Sequence, residues 1–241
     1  IEFSPLKNKI LKKVDFVVFR ELTGGIYFGK KGILDDGNKA FDTCVYNKSE
    51  IERIAVLAFD EALKRNKKLT LVDKANVLST SRLWREVIQN ISKNYSNVKV
   101  DYLFVDNAAM KIISNPSDFD VILTENMFGD IITDEASVIT GSLGMLPSAS
   151  VGKDISLFEP IHGSYPQAAG KNIANPMAMI LSSAMMIGHS FNMSFEERII
   201  NRAVNDALNK GIVTEDINKN KFYKTNEVGD WIANRVHQLI N

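Results

Sequence analysis

Cysteine is nearly missing from this sequence: Cys44 is the single one in 241 residues, so no intrachain disulfide can form. A reducing compartment is the expectation. Without such staples the fold must rest on buried apolar surface, for which 45% hydrophobic residues over this length are ample. Cys44 sits in a polar-flanked stretch with no partner motif, which gives no reason to read it as reactive. Long hydrophobic runs are missing too. The longest apolar region, Met177 to Ile187, is interrupted by Ser182 and Ser183, and it falls short of the roughly 20 residues that span a bilayer. The opening residues carry no secretory pattern, and a soluble cytoplasmic protein is expected. Excess charge of either sign is missing as well, since 29 basic and 29 acidic residues cancel and are interspersed. This leaves no electrostatic reason to expect a nucleic-acid or acidic-membrane partner. Finally, no GxGxxG follows a strand and there is no Walker A sequence, so the common Rossmann and P-loop sites are not supported.

What is present alternates. Phe16–Phe19 reads as a strand ending in Arg20-Glu21, followed by the glycine-bearing segment Gly24–Gly29. A turn around Asp35–Asn38 precedes Phe41–Tyr46, a hairpin candidate. Ser49 is the expected cap of a helix from Glu50 to Arg65, whose apolar residues recur at helical spacing. Strand Leu69–Val72, helix Ser81–Tyr95, strand Val98–Val105 ending at Asp106, helix Ala108–Ser114, strand Asp120–Leu123 and helix Phe128–Ile139 follow. Strands alternating with helices, with polar residues at strand C-terminal ends, predict an α/β fold with a mainly parallel sheet and its ligand site at those ends. After Gly141 the pattern changes, and a domain switch is placed there. Asn175-Pro176 starts a Met-rich helix, with Met177, Met179, Met185 and Met186 read as core filling. Ser194 and Glu197 suggest a capping box, the helix they open stops near Gly211, and a last helix runs to the C-terminus.

Asp130 and Asp134 lie four apart on a predicted helix, so their side chains share one face. Two like charges there repel unless a cation sits between them, and a hard ion such as Mg²⁺ takes one or two carboxylates plus substrate oxygens and water. The same spacing also describes a solvated helix face. Asp106, at a strand end, offers a third carboxylate or an ordinary turn residue. Lys74 follows Asp73 at another strand end. Beside a metal an amine there is pushed toward its neutral form and becomes a base; elsewhere it is solvated surface. Arg20 suits bidentate carboxylate binding and Tyr27 suits proton donation, or the pair is an Arg20–Glu21 ion pair beside a core tyrosine. The polar loop from His162 to Asn175 runs into a helix N-terminus and is long enough to wrap a nucleotide.

As strings, these residues are specific. Arg20-Glu21-Leu22-Thr23-Gly24-Gly25-Ile26-Tyr27-Phe28-Gly29, Asp73-Lys74-Ala75-Asn76-Val77-Leu78, Asn126 through Asp134 and on through Gly141–Ser150, Glu159-Pro160-Ile161-His162-Gly163-Ser164 and Ile173–Pro176 resemble, in order, the signatures of the 3-isopropylmalate dehydrogenases. Sister isocitrate and homoisocitrate dehydrogenases usually carry Asn at Leu22, an acidic residue at Gly25 and His at Asp73. The resemblance implies the two-domain isocitrate/isopropylmalate dehydrogenase-like α/β fold without its N-terminal part. Residues 1–140 would be the central substrate, metal and dimerisation domain, and 141–241 the C-terminal half of the cofactor domain. It implies NAD-dependent oxidative decarboxylation of a 2-hydroxy dicarboxylate, with Mg²⁺ or Mn²⁺ held by Asp106, Asp130 and Asp134. Lys74 and Tyr27 would be catalytic, and Arg20 and Asp106 substrate-binding. Asn76, Val77, Glu159, His162, Gly163, Ser164, Gln167 and Asn175 would contact the cofactor. It further implies a homodimer in which Lys74 and Asp106 reach the partner's site. Gln167 departs from the aspartate usual in NAD-preferring members, and Tyr165 from a small residue, yet the basic residues of an NADP preference are missing too, so NAD stays the expectation. The alternatives are a sister enzyme acting on tartrate, malate or homoisocitrate, and a metal-dependent carboxylate-binding protein of another class. With family parts missing, this polypeptide alone is expected to be inactive or nearly so.

Overall fold

The computed structural model describes residues 3–240. The chain divides into two compact units, Leu6–Ile139 and Ile1–Pro5 with Thr140–Asn241.

The Leu6–Ile139 unit is built on four parallel strands. β1 (Val17–Arg20), β4 (Lys68–Asp73), β5 (Lys99–Phe104) and β6 (Val121–Thr124) lie in the order β1-β6-β4-β5. All four residues of β6 are buried, as a strand covered on both faces requires. Alternation divides them: Val121 and Leu123 join Leu69 and Leu71 in one core, while Ile122 points to the other. Helices α2 (Lys48–Lys64) and α3 (Ser79–Ser92) close the first face with Ile51, Phe59, Trp84 and Ile88. Helices α4 (Val105–Ser114) and α5 (Asn126–Thr140) close the second with Ala108, Ile112 and Ile132. A short helix, α1 (Asn8–Leu11), precedes β1.

The α/β pattern is as the sequence predicts, with local corrections. The cap of α2 is Asn47, not Ser49: its side chain accepts from the Glu50 N–H while Glu50 accepts from the Asn47 N–H, a reciprocal box. Helix α4 begins at Val105, so Asp106 stands in a first helical turn, where a carboxylate favours the helix dipole, rather than at a strand end. The turn at Asp35–Gly37 does make a hairpin, but it joins β2 (Lys31–Leu34) to β3 (Lys39–Asp42), which begins two residues before the Phe41–Tyr46 run and overlaps it only at Phe41 and Asp42. Asp35 and Asp36 both take positive φ there, which short polar side chains tolerate.

In the second unit an antiparallel pair, β7 (Pro147–Val151) and β8 (Ser156–Pro160), packs on α6 (Met177–Phe191). Helices α7 (Ser194–Asn209) and α8 (Thr225–Ile240) complete it around Met177, Ala203, Val204, Val213, Val228 and Ile232. The small and polar residues of this hairpin lack a clear two-residue alternation, so the sequence carries no strand signal here. Two more expectations are corrected. The residue preceding α7 is Met193 and makes no side-chain cap bond, because Ser194 is already inside the helix. Of the helix methionines, Met177 is fully buried while Met179 and Met186 are exposed, so only part of that stripe fills core. Among the described residues, no helix is long and apolar enough to cross a membrane.

Candidate active site

Parallel strands bring their C-terminal ends to one edge, and helix N-termini follow there. In the Leu6–Ile139 unit that edge carries Arg20, Lys74, Asp106, Asn126 and Asp130. Strand β6 sets the register: Thr124 pairs with Arg20 on one side and with Val72 on the other.

Two constellations result. In the first, the Arg20 guanidinium lies across the start of α5. Its Nη1 donates to Asp130 Oδ1 at 2.6 Å, while Nε and Nη2 donate to Asn126 Oδ1 at 3.0 and 2.9 Å. Tyr27 Oη donates to the other oxygen of Asp130 at 2.7 Å. The Tyr27 bond and the Arg20 charge hold the Asp130 carboxyl below its ordinary range. The same bond, with some burial, pushes the Tyr27 phenol up, so it keeps its proton at neutral pH. In the second constellation Lys74 Nζ donates to Asp106 Oδ1 at 2.5 Å, which holds the Asp106 carboxyl below its usual value. The backbone at Lys74 is fixed by Ser81, whose Oγ accepts the Lys74 N–H at 3.0 Å. Asp73, buried at the strand end, is clamped by Arg85, which also stacks over Tyr102 and Phe104.

Arg20 does not pair with Glu21, which is bound instead by Arg53, Thr23 and the Gly24 N–H. Tyr27 is partly exposed rather than a core tyrosine. Asp134 is exposed, one turn along from Asp130. The three aspartates do not gather within one chain: among the described residues, no three His, Cys, Asp or Glu side chains form a group that could hold a metal. Asp130 and Asp134 alone present anionic oxygens on one helix face, a donor set that fits a hard divalent ion completed by water and substrate oxygens.

In the second unit the His162–Asn175 loop is exposed except at Ala168, which is buried and anchors it, and at Asn175, which is half-buried. The position of a Cβ on Gly163 meets nothing within 4 Å, and His162 Nδ1 lies 3.0 Å from the Gly163 carbonyl. Glu159, Ser164 and Gln167 are exposed, a polar surface of the kind a nucleotide would need. Asn175 differs. Its Oδ1 accepts from the Met177 N–H at 2.9 Å and its Nδ2 donates to Asp216 at 3.0 Å, so both ends of its amide are engaged. Helix α6 begins at Met177 with Pro176 as its N-cap, so Asn175 is not the cap that the sequence suggests. Asn76 and Val77 sit in an exposed turn after Lys74, on the first unit.

Sequence reasoning missed what supports the first constellation. Glu125 is buried and accepts from Tyr46 Oη and the Phe128 N–H, and Tyr46 in turn accepts the Asn126 N–H. Burial pushes the Glu125 carboxyl up. A usable signal was Gly129: glycine inside a helix costs up to about 1 kcal/mol and asks for a packing reason.

A family model described as isocitrate/isopropylmalate dehydrogenase matches residues 1–232. The chain belongs to the isocitrate/isopropylmalate dehydrogenase family. It is 57% identical over 218 residues to a 3-isopropylmalate dehydrogenase of Clostridium acetobutylicum, covering 89% of this chain and 61% of that protein. The enzyme of the same name from Aquifex aeolicus is 48% identical, with 99% and 67% covered. Among solved structures, an isocitrate dehydrogenase from Methylococcus capsulatus superposes with a TM-score of 0.87 at 39% identity, covering 92% of this chain and 67% of the other. The chain thus spans about three-fifths to two-thirds of the length of these relatives.

Proposed function

We propose that this chain supplies the substrate- and metal-handling part of an NAD-dependent 3-isopropylmalate dehydrogenase, a cytoplasmic homodimer that converts 3-isopropylmalate to 4-methyl-2-oxopentanoate in leucine biosynthesis. The observation that carries it is the Arg20–Asp130–Tyr27 constellation: a cation, a carboxylate and a protonated phenol within hydrogen-bond range at the sheet's C-terminal edge. Leu22, Gly25 and Asp73 favour isopropylmalate over the sister substrates.

In this reading Arg20 grips a substrate carboxylate and orients the 2-hydroxy acid. Lys74 Nζ, held by Asp106, would serve as the base for the hydroxyl proton once it has given up its own proton to solvent, and NAD, when bound, would supply the hydride acceptor. After loss of CO₂, Tyr27 Oη delivers a proton to the enolate carbon. Asp130 and Asp134 would hold Mg²⁺ or Mn²⁺, with Asp106 of a second copy as a third ligand, and the ion, when bound, would supply Lewis acidity. Two features support the shared site. Lys74 binds Asp106 while Arg20 and Tyr27 bind Asp130, so in one chain the carboxylates are held in different constellations. Met110 on α4 and Ile131 and Val138 on α5 are exposed apolar residues suited to a helical dimer seam. Glu159, His162, Gly163, Ser164, Gln167 and Asn175, with Asn76 and Val77, would contact NAD.

The test is turnover by the full-length protein with NAD, Mg²⁺ and 3-isopropylmalate, set beside tartrate, malate and homoisocitrate. NADH and CO₂ formed together, fastest with isopropylmalate, are expected. Absence of NADH with every 2-hydroxy diacid would overturn the assignment.

A further inference from the structure

We propose that Asn126 is the positioning residue that fixes the Arg20 guanidinium for carboxylate binding, with Gly129 providing the clearance. The inference rests on Arg20 being the carboxylate clamp proposed above.

Arginine has five N–H groups in a planar fork, and its value as a clamp depends on which of them face the ligand. Here three are engaged. Nε and one Nη2 hydrogen converge on Asn126 Oδ1, and one Nη1 hydrogen goes to Asp130. Among the described residues the remaining two, one on each terminal nitrogen, are left for a ligand. The Asn126 amide cannot turn over, because its Nδ2 donates to the Gly24 carbonyl at 3.2 Å, which leaves only Oδ1 for Arg20. The residue itself is pinned: it is buried, and its N–H donates to Tyr46 Oη at 3.0 Å.

Helix geometry explains the rest. Asn126 and Asp130 are four apart on α5, so they bracket the guanidinium from one helix face. Between them the Arg20 side chain crosses the helix at Gly129. A Cβ built there would lie 2.6 Å from Arg20 Cγ and 2.9 Å from its Cβ and Cδ. No larger residue fits beneath the arginine in this pose. Asn126, Gly129 and Asp130 thus form a three-point seat, and the seat, more than Arg20 alone, sets where a carboxylate is held.

The experiment uses the full-length protein with Asn126→Ala and Gly129→Ala. Alanine is the better helix former, so a defect in Gly129→Ala does not come from a weakened α5. Both variants are expected to raise KM for 3-isopropylmalate about ten-fold, the scale of one lost hydrogen bond to a charged group, with KM for NAD unchanged. A merely structural role would lower the active fraction and leave both KM values alone; that outcome overturns the proposal. A second readout needs no turnover. The Arg20 Nε–H, bonded and partly buried, should give a slowly exchanging NMR signal that disappears in Asn126→Ala. A signal that survives refutes the inference. If wild-type protein turns over no hydroxy acid, the dehydrogenase reading fails, while loss of the Nε–H signal still supports the seat.

Discussion

Replacing Tyr46 by Phe isolates one hydroxyl at the foundation of the site. The ring stays, since it is buried and packs edge-on against Trp84 with centroids 5.5 Å apart. What goes is the bond to Glu125 and the acceptor for the Asn126 N–H, both 3.0 Å. A hydrogen bond to a carboxylate is worth about 1.5–3 kcal/mol, and a neutral one about 0.5–1.5, so the loss should be about 2–4 kcal/mol near neutral pH. The pH dependence has a definite sign. Burial raises the folded-state pKa of Glu125 above its ordinary 4.5. Its contribution is therefore full below that value and is lost as pH rises through the folded-state pKa. Removing the Tyr46 donor raises the folded-state pKa further, so the variant's deficit should grow with pH. Urea unfolding of both proteins at about pH 4 and about pH 7 measures it. A loss below about 0.5 kcal/mol at neutral pH, or one that shrinks as pH rises, would refute the account of Tyr46 as the anchor of Glu125.

Asn47→Ala should remove the α2 box and cost about 1 kcal/mol, seen as a lower urea midpoint with an unchanged slope. An unaltered midpoint would mean that the helix starts elsewhere. Tyr27→Phe in the full-length protein should lower kcat by about a hundred-fold or more, as loss of a general acid does, and wild-type kcat would remove Tyr27 from the protonation step. Chelation should stop NADH formation, with Mg²⁺ or Mn²⁺ restoring it; chelator-resistant turnover would count against Asp130 and Asp134 as ligands.

The sheet and its flanking helices were legible because hydrophobic period and strand length agree in the first unit. The strand read at Asp120–Leu123 falls one residue early against β6, and Ile51, Ile54, Ala55 and Ala58 do share the packed face of α2, while Leu63, read onto that face, is exposed. Local chemistry was harder to read. Asn47 and Ser49 are both good caps, and only the geometry of Glu50 decides between them. The β7–β8 hairpin has too few large residues to declare its period. Asp130, Tyr27 and Arg20 were named from their strings, but strings do not say that Arg20 turns away from its neighbour Glu21. That choice is made by Arg53, which takes Glu21 from a helix some thirty residues later. Asn126 and Tyr46 stayed silent for the same reason: their partners are distant in sequence and unremarkable in type.

Strand β6 behaves as a spirit level for the reaction chemistry. Thr124 pairs sideways with both Arg20 and Val72, so the guanidinium and the amine two residues past Val72 take their heights from one shared rung. A slip of one residue on either side would move that group by about 3.3 Å and flip its face. Insertions should thus be tolerated at the Asp35–Asn38 bend, far out on an exposed ribbon, yet a single added residue anywhere in Val121–Thr124 would tilt the whole workbench.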